Sequence, residues 1–397
     1  MTAVDATPTS LDTWLDAHGQ GLIALRRNMH AHPELSGSEH ATTELVEERL
    51  VLAGLAPRRL AVGTGLVCDL VPPRGPDGRA PIVLRADLDA LAMPDEKDVS
   101  YASQHPGVSH ACGHDVHTTV VLGAALYFAH HPDELPGPVR VLFQPAEERV
   151  PGGALDAIAD GAIDGAAAIV GVHCEPKLDV GTIGLRTGPI SSAADMAVIT
   201  LTGQGGHTAR PELTVDLVDV AARVVADLPR RVAERLEDPG EVKVVFGAIR
   251  AGDAANVIPT HAVLKVSIRT PSVAVWEHLP RIVTEEVDAV VAGTGAGVSV
   301  DYTHGVPPVV NDPAVTARVE AAARTVVDSV VDVEQSWGGD DFAWFTRQVP
   351  GTYARLGVRT PGGPTLDLHA GHFDVDERAI EIGVRLMVAS VSEHFGA

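Results

Sequence analysis

The stretch PIVLRADL, residues 81 to 88, decides the fold class of the chain. Its short apolar run, rich in Val and Ile, is typical of a strand buried on both faces of a parallel sheet. Similar runs follow as VRVLFQPAE (139 to 147) and AAIVGVH (167 to 173). We therefore predict an α/β layered domain with a mostly parallel sheet, whose helices lie near 9 to 31, 38 to 54, 117 to 130 and 152 to 161.

The pattern changes near residue 188, where the order of elements becomes β-α-β-β-α-β, the order of a ferredoxin-like unit. We expect strands at 195 to 202, 242 to 250, 258 to 269 and 296 to 303, with helices at 212 to 236 and 273 to 292. The helical pattern then resumes over AVTARVEAAARTVVDSVV, and the last helix begins near Asp376.

The simplest organisation is a discontinuous first domain interrupted by a smaller one. We place the first domain at residues 1 to 187 and 304 to 397, with a helix predicted over 314 to 331, and the inserted domain at 188 to 303. A chain of 397 residues is long enough for two hydrophobic cores.

The composition limits the kinds of molecule that the chain is expected to bind. A formal net charge of -23 argues against binding of nucleic acid and favours metal cations or amine-bearing ligands. The chain has only three cysteines, too few and too scattered for a disulfide framework. Its N-terminus has no apolar segment typical of a signal peptide, and no apolar run reaches the roughly 18 residues that span a bilayer. We expect a cytoplasmic protein that does not bind membranes.

HACGHDVHTT, residues 110 to 119, is the strongest candidate for chemistry. Cys112 and His114 flank Gly113, a small residue that lets the backbone bend so that both side chains approach one ion. A thiolate with an imidazole suits zinc, cobalt, nickel or manganese. The pair is weak evidence by itself, because a buried thiol beside a capping or core histidine has the same pattern.

Three further segments add candidate ligands. FQPAEE supplies Glu147 and Glu148 after a predicted strand, where adjacent acids most often begin a solvated helix. Successive side chains point in different directions, so one carboxylate can bind an ion while its neighbour faces a bound water. His173 in GVHCEP ends the next predicted strand, and His369 lies in LDLHAGHFDVDE; a lone histidine at such a place is more often structural.

The ordered set of motifs resembles the N-acyl-amino-acid amidohydrolase and hippurate hydrolase family, which is related to aminoacylase and glutamate carboxypeptidase. The resemblance extends from about residue 20 to residue 390, and the cysteine-containing motif is specific to that subgroup. The motifs are MHAHPELSGSE, RADLDAL, HACGHDVHTT, FQPAEE, GVHCEP, GGHTARPE, NVIPTHA, GGDDFAWF and LHAGHFDVDE.

The resemblance implies a metal-dependent amidohydrolase that splits N-acyl amino acids or small peptide-like amides. It implies two divalent cations per subunit, of zinc, manganese, cobalt or nickel, that activate a water molecule, with Glu147 as general base. It also implies that the inserted domain is a lid through which the chain forms a homodimer or a higher oligomer. The metal ligands that it implies are Cys112, His114, Glu148, His173 and His369.

Other roles follow from the same resemblance. His207 matches a histidine that reaches the partner subunit's active site and stabilises the oxyanion, and Asn256 matches a lid residue near the substrate. Asp89 matches the family's conspicuous acid, which orients a metal-bound imidazole. Arg269 either meets a substrate carboxylate or forms a salt bridge within the lid. His372 competes with His369 as the C-terminal ligand, and the flanking residues favour His369.

Three rival interpretations remain to be compared. A nucleophilic cysteine hydrolase needs Cys112 free and paired with a base, which the surrounding ligand set opposes. A dinucleotide enzyme needs G-x-G-x-x-G opening a helix, and GQGG (203 to 206) does not fit. A non-catalytic homologue that binds small molecules or acts as a scaffold is the serious alternative, because a fold alone does not confer activity.

Overall fold

The computed structural model describes residues 9–75 and 78–397. The first eight residues, which belong to the first predicted domain, lie outside the described residues. The helices are Ser10–Ala31 (α1), His40–Leu52 (α2), His114–His130 (α3), Ala154–Ala159 (α4), Leu217–Ala233 (α5), Val273–Val291 (α6), Pro313–Val326 (α7), Phe342–Thr346 (α8) and Arg378–Phe395 (α9).

Sixteen strands lie between these helices in the described part of the chain. They are Arg58–Arg59 (β1), Leu66–Leu70 (β2), Ile82–Asp87 (β3), Val139–Gln144 (β4), Ala168–Asp179 (β5), Thr182–Leu185 (β6), Gly188–Pro189 (β7), Ala194–Thr202 (β8), Gly206–His207 (β9), Lys243–Arg250 (β10), Val257–Ile258 (β11), His261–Arg269 (β12), Gly297–Val306 (β13), Val310–Asn311 (β14), Ser329–Asp332 (β15) and Gly351–Arg359 (β16).

The described chain forms two compact units. The first unit comprises Met1–Gly188, Val310–Glu334 and Trp344–Ala397, and the second comprises Pro189–Val309 and Gln335–Ala343. The first unit is therefore discontinuous in sequence.

The first unit is built on an eight-stranded sheet in the order β1-β2-β4-β3-β5-β16-β6-β15. Its centre is parallel, since β3 pairs in parallel with β4 and β5, and β5 with β16. The antiparallel pairs are β1–β2, β2–β4 and β16–β6. The prediction of a mostly parallel sheet is confirmed. Because parallel strands end at one edge of the sheet, side chains that follow β3 and β4 lie close together.

One hydrophobic core lies between this sheet and the helices α1, α3, α7 and α9. Leu22 of α1, Val120 of α3 and Met387 of α9 are buried against Val141 and Val172 of the sheet. Burying a side chain of this size contributes about 1.5–3 kcal/mol, which accounts for the position of these helices against the sheet.

The second unit has the predicted ferredoxin-like order. Its sheet runs β10-β12-β8-β13 with every pair antiparallel, and α5 and α6 contribute its core. Ile199 and Leu264 of the sheet pack with Val224 of α5 and Val283 of α6, all with no exposed surface.

Some element boundaries differ from the sequence predictions. The helix predicted over 314 to 331 ends at Val326, and Ser329–Asp332 is a strand paired with β6. The strand predicted to end at His173 continues to Asp179. The sequence analysis did not identify β2 or β16. Among the described residues, no helix combines the length and the apolar character needed to cross a bilayer.

Candidate metal centre

The turn that carries Cys112 and His114 depends on the glycine between them. Gly113 precedes α3 with φ 92°, in the left-handed region that favours glycine. A Cβ at this position would lie 2.6 Å from Sγ of Cys174. Only glycine therefore fits the bend that directs the Cys112 and His114 side chains toward one point.

The five candidate ligands lie close together in the first unit. Ligand atoms of Cys112, His114 and Glu148 all lie within 4.8 Å of one another. Nε2 of His173 is 3.4 Å from Sγ of Cys112, and Nε2 of His369 is 3.3 Å from Oε1 of Glu148. A thiol, three imidazoles and a carboxylate thus form one contiguous cluster of metal-binding groups.

Backbone carbonyls orient two of the imidazoles. Nδ1–H of His114 donates to the carbonyl oxygen of Asp89 at 2.8 Å, and Nδ1–H of His173 donates to that of Cys174 at 2.7 Å. Each contact leaves the Nε2 lone pair directed at the cluster, as metal-binding histidines require.

Two buried atoms of the cluster support the fit to a cation. Nε2 of His114 and Oε1 of Glu148 are shielded from solvent and have no hydrogen-bond partner among the described residues. Buried polar atoms in folded proteins nearly always have a partner, and a divalent cation bound to both atoms would provide it. The donor set therefore fits a metal.

The carboxylate of Asp89 holds the pair of glutamates in place. Its Oδ1 accepts the backbone N–H of Glu147 at 3.1 Å, and its Oδ2 accepts that of Glu148 at 2.9 Å. The hydroxyl of Ser36 donates to Oδ2 at 2.6 Å. Burial opposes ionisation of Asp89, but the His114 imidazole and these donors hold its pKa below the ordinary value.

Glu39 fixes the residue before the glutamates. Its buried Oε1 accepts the backbone N–H of Ala146 at 2.8 Å and that of Gly37 at 2.6 Å. Ala146 has φ 57°, a strained value for a residue with a Cβ, and such strain persists only where neighbours hold the backbone. Both carboxylates that follow this turn approach His114: Oε2 of Glu147 lies 3.9 Å and Oε1 of Glu148 lies 3.8 Å from its Nε2.

His117 also lies in a group of potential ligands, with Asp87 and His114. The backbone N–H of Cys174 donates to Nε2 of His117 at 2.9 Å, so Nδ1 carries the proton and donates to Oδ1 of Asp87 at 2.7 Å. Arg85 donates to the other oxygen of Asp87 at 2.6 Å. Because both ring nitrogens of His117 have partners, it supports the site and does not bind a metal.

The charges around the cluster favour a cation. Burial raises the pKa of the Cys112 thiol well above its ordinary value, and the charges of Glu148 and Glu147 raise it further. Burial opposes protonation of His114, but the carboxylates around it, Asp87 foremost, outweigh burial and raise its pKa to about 10. The negative charge that raises both pKa values also favours a divalent cation, whose binding would compete with protons for these groups.

His369 approaches the cluster from a separate loop. Its backbone has φ 55°, and its N–H donates to the carbonyl oxygen of Ala111 at 2.8 Å, which ties the loop to the cysteine motif. The carboxylate of Glu148, whose Oε1 lies 3.3 Å from Nε2 of His369, raises the pKa of His369. Its competitor in the sequence, His372, is exposed and has no contact with the cluster among the described residues.

The remaining predicted site residues belong to the second unit. His207 lies in β9 opposite Val257 of β11, and the N–H of Thr208 donates to the carbonyl oxygen of Asn256 at 3.3 Å, so His207 and Asn256 are neighbours. Arg269 ends β12 and donates to Oγ of Ser267 and to the carbonyl oxygen of Trp337, both at 3.3 Å.

Sequence reasoning missed several supporting residues. Glu39 and Ser36 lie in the motif MHAHPELSGSE, to which the sequence analysis assigns no site residue. The available signal was Glu39 itself, an acid directly before a helix with no lysine or arginine next to it in the sequence. The partnership of Arg85 with Asp87 did have a signal, because residues two apart in a strand lie on the same face of the sheet.

Comparisons with known proteins agree with this chemistry. The model of Peptidase family M20/M25/M40 matches residues 83–393. A Rhodococcus jostii protein whose name places it with the glutamate–cysteine ligases is 43% identical over 390 residues, 97% of this chain. The chain covers 48% of that relative, about half its length.

Two further relatives match over nearly their full length. The N-acetyl-L-cysteine deacetylase of Bacillus subtilis is 36% identical over 359 residues, which are 90% of this chain and 84% of the relative. The crystal structure of the Bacillus subtilis YXEP protein, described as a dinuclear metal binding peptidase from the M20 family, superposes with a TM-score of 0.84 at 29% identity. The superposition covers 96% of this chain and 99% of the YXEP chain.

Proposed function

Because the chain belongs to peptidase family M20/M25/M40, we propose that it hydrolyses N-acyl amino acids to a carboxylic acid and a free amino acid. That it is a metal-dependent amidohydrolase follows from the family and from relatives named as hydrolases. The acyl amino acid as substrate is supported by the deacetylase relative, which is named for such a compound. The observation that carries the proposal is the position of Glu147, directly beside a cluster of metal ligands.

We assign the ligands by geometry and by the sequence resemblance together. Cys112, His114, Glu148, His173 and His369 would hold two divalent cations of zinc, manganese, cobalt or nickel. These cations would lower the pKa of water and polarise the amide carbonyl.

Glu147 then acts as the general base. It takes a proton from the attacking water and returns it to the nitrogen of the leaving amine, because the amine is a poor leaving group until it is protonated. Asp89 keeps Glu147 and Glu148 in their separate orientations through the two backbone N–H groups. His114 and His173 keep their tautomers through the carbonyl groups that they bind.

For the second unit the proposal rests on the sequence resemblance. His207 would donate to the oxygen on which charge develops, a role worth about 10²–10³ in kcat for one donor. Asn256 and Arg269 would contact the substrate, and a homodimer through the second unit would bring His207 to the partner's site. The three cysteines, all free and buried, support a cytoplasmic location.

The test compares substitutions at the two adjacent glutamates. Glu147→Gln should retain the metal content of the wild type and lose about 10²–10⁴-fold in kcat on N-acetyl amino acids, because only the base is removed. Glu148→Gln should lose metal as well as activity. Metal content is measured by elemental analysis, after loading with Zn, Mn, Co or Ni and a screen of acetyl, benzoyl and other acyl amino acids.

Two results contradict the proposal. Unchanged kcat in Glu147→Gln would exclude it as the general base. Absence of hydrolysis across the panel, in protein that holds two metal ions per chain, would favour a binding or scaffold protein.

A further inference from the structure

The side chain of Glu39 does not cap the helix at whose start it lies. Glu39 is the N-cap residue of α2, a position whose side chain commonly accepts a backbone N–H of the first turn. Among the described residues it forms no such bond. Glu34 supplies the acceptor, since its carboxylate accepts the N–H groups of Ala41 at 3.1 Å and Thr42 at 2.8 Å. The Glu39 side chain instead contacts a residue 107 positions further along the chain.

That contact is with the turn that leads into the two adjacent glutamates. Oε1 of Glu39 accepts the backbone N–H of Ala146 at 2.8 Å, and Asp89 accepts those of Glu147 and Glu148. Three consecutive N–H groups therefore donate to carboxyl groups, as in the concave backbone turns that bind anions. Glu39 holds the first N–H of this series and Asp89 holds the other two.

Ala146 has the unusual conformation that gives the turn its direction. Its φ is 57°, which a residue with a Cβ keeps only where its neighbours hold the backbone. Its N–H donates to Glu39, and its carbonyl oxygen accepts the N–H of Gly153 at 2.8 Å. Because Glu147 follows directly, rotation of the Ala146 backbone would move the Glu147 carboxylate away from its position beside His114.

The other oxygen of Glu39 is enclosed. The residue has no exposed surface, and Oε2 has no hydrogen-bond partner in the part of the chain that the structure describes. Burial raises the pKa of the Glu39 carboxyl above its ordinary value, although the N–H groups of Gly37 and Ala146 oppose this effect. These two N–H groups need an acceptor at Oε1 and no negative charge, so the amide of a glutamine can supply the same bonds.

We propose that Glu39 is a positioning residue for the general base, and that it acts through the backbone N–H of Ala146 to hold the carboxylate of Glu147 in its working direction. The inference rests on the proposed function and deepens it by adding a residue that touches neither metal nor substrate. Loss of the contact should therefore lower kcat and leave KM nearly unchanged.

Two conservative variants separate positioning from stability. Glu39→Gln keeps the length and the acceptor, so its kcat should stay close to that of the wild type. Glu39→Asp keeps the acid but is one methylene shorter and loses Ala146, while aspartate is itself a preferred N-cap residue for α2. We expect Glu39→Asp to lower kcat by about 10–100-fold with a melting temperature near that of the wild type. Kinetics are measured with metal in excess, on the acyl amino acid that the wild type hydrolyses fastest.

A second measurement requires no turnover. Amide hydrogen exchange of the metal-free protein, followed by mass spectrometry of peptides that contain residues 144–148, reports how firmly the N–H groups of the turn are held. Glu39→Asp should exchange faster than the wild type in these peptides. Glu39→Gln should exchange at the wild-type rate.

Glu34→Ala is the matched control. It removes the carboxylate that accepts the first N–H groups of α2 and should lower the melting temperature. It should leave kcat and the exchange of residues 144–148 unchanged, because Glu34 does not contact the turn. The control thus shows what a purely structural loss at α2 does.

Three results overturn the inference: wild-type kcat and exchange in Glu39→Asp, an equal loss of kcat in Glu39→Gln and Glu39→Asp, or a larger loss of melting temperature in Glu39→Asp than in Glu34→Ala. Hydrolysis by the wild type is measured separately. Hydrolysis with unchanged exchange in Glu39→Asp refutes only the role of Glu39. Faster exchange in Glu39→Asp, with no hydrolysis of any acyl amino acid by the wild type, supports the contact and refutes only the proposed activity.

Discussion

At the scale of single residues, the candidate site is organised by groups that would not touch a metal. Asp89 accepts two consecutive backbone N–H groups and lies beside His114, so one carboxylate positions three functional groups. His117 is held between Asp87 and the backbone of Cys174. The geometry of the candidate ligands is thus determined by hydrogen bonds with residues that do not themselves face the metal position.

Asp89→Ala should lower kcat or metal affinity by about 10–100-fold, because the N–H groups of Glu147 and Glu148 lose their acceptor and the two side chains lose their separate orientations. Steady-state kinetics and elemental analysis measure both effects. Ser36→Ala is the matched control: it removes one donor to the same carboxylate and should cost less than Asp89→Ala. Equal losses in the two variants would contradict a positioning role for Asp89.

At the scale of elements, the ligands belong to neighbouring pieces of one sheet edge. Glu148 follows β4, His173 lies within β5, and His114 begins α3 where the chain turns beside them. The close approach of α3 to β5 is possible because Gly113 has no side chain. The start of α3 and the strand β5 therefore form one packed unit.

Gly113→Ala should destabilise the protein more than Gly107→Ala does. Both glycines have positive φ, so both variants incur about 1–2 kcal/mol of backbone strain. At Gly107 a Cβ meets nothing within 4 Å, but at Gly113 it meets Sγ of Cys174 at 2.6 Å, which adds about 1–3 kcal/mol of overpacking. Thermal unfolding and metal content provide the measurement.

The double variant Gly113→Ala with Cys174→Ala checks the cause. It should recover part of the loss in melting temperature, since the clash is with the sulfur. No difference between the Gly113 and Gly107 variants would show that the contact with Cys174 is unimportant.

At the scale of the whole molecule, the chain forms two units with separate hydrophobic cores, and the candidate metal cluster lies entirely in the first. Its ligands come from segments far apart in the sequence. A metal bound by them links these segments and stabilises the folded chain in proportion to its occupancy.

Removal of metal with a chelator should therefore lower the melting temperature, and return of the metal should restore it. A free metal concentration 100 times the Kd adds about 2.7 kcal/mol to the free energy of unfolding. Cys112→Ala, which removes a proposed ligand, should show a smaller response to the chelator. A melting temperature that is the same with and without metal would contradict binding by the folded state.

Much of the fold and of the candidate site could be predicted from the sequence. The parallel sheet, the ferredoxin-like unit and the motifs around Cys112 and Glu147 were all visible, because short apolar runs and ligand-rich loops are local features. It did not reveal β16, although this strand lies between β5 and β6 in the main sheet. Its only local sign is a short apolar run, and such runs do not distinguish strand from helix. The helix predicted to 331 was overextended for the same reason: VVDSVV continues the apolar pattern, and only pairing with β6 makes it a strand.

The hydrogen bond from His369 to Ala111 has a consequence for biosynthesis. His369 follows the whole of Pro189–Val309 in the chain, so a growing polypeptide still on the ribosome exposes the cysteine and the early histidines before their last companion has been made. Until the second unit has been synthesised, Cys112 and the histidines made before that unit are exposed to metal ions without His369. If these residues bind metal as proposed, a site that needs His369 can be completed only after translation has passed residue 369.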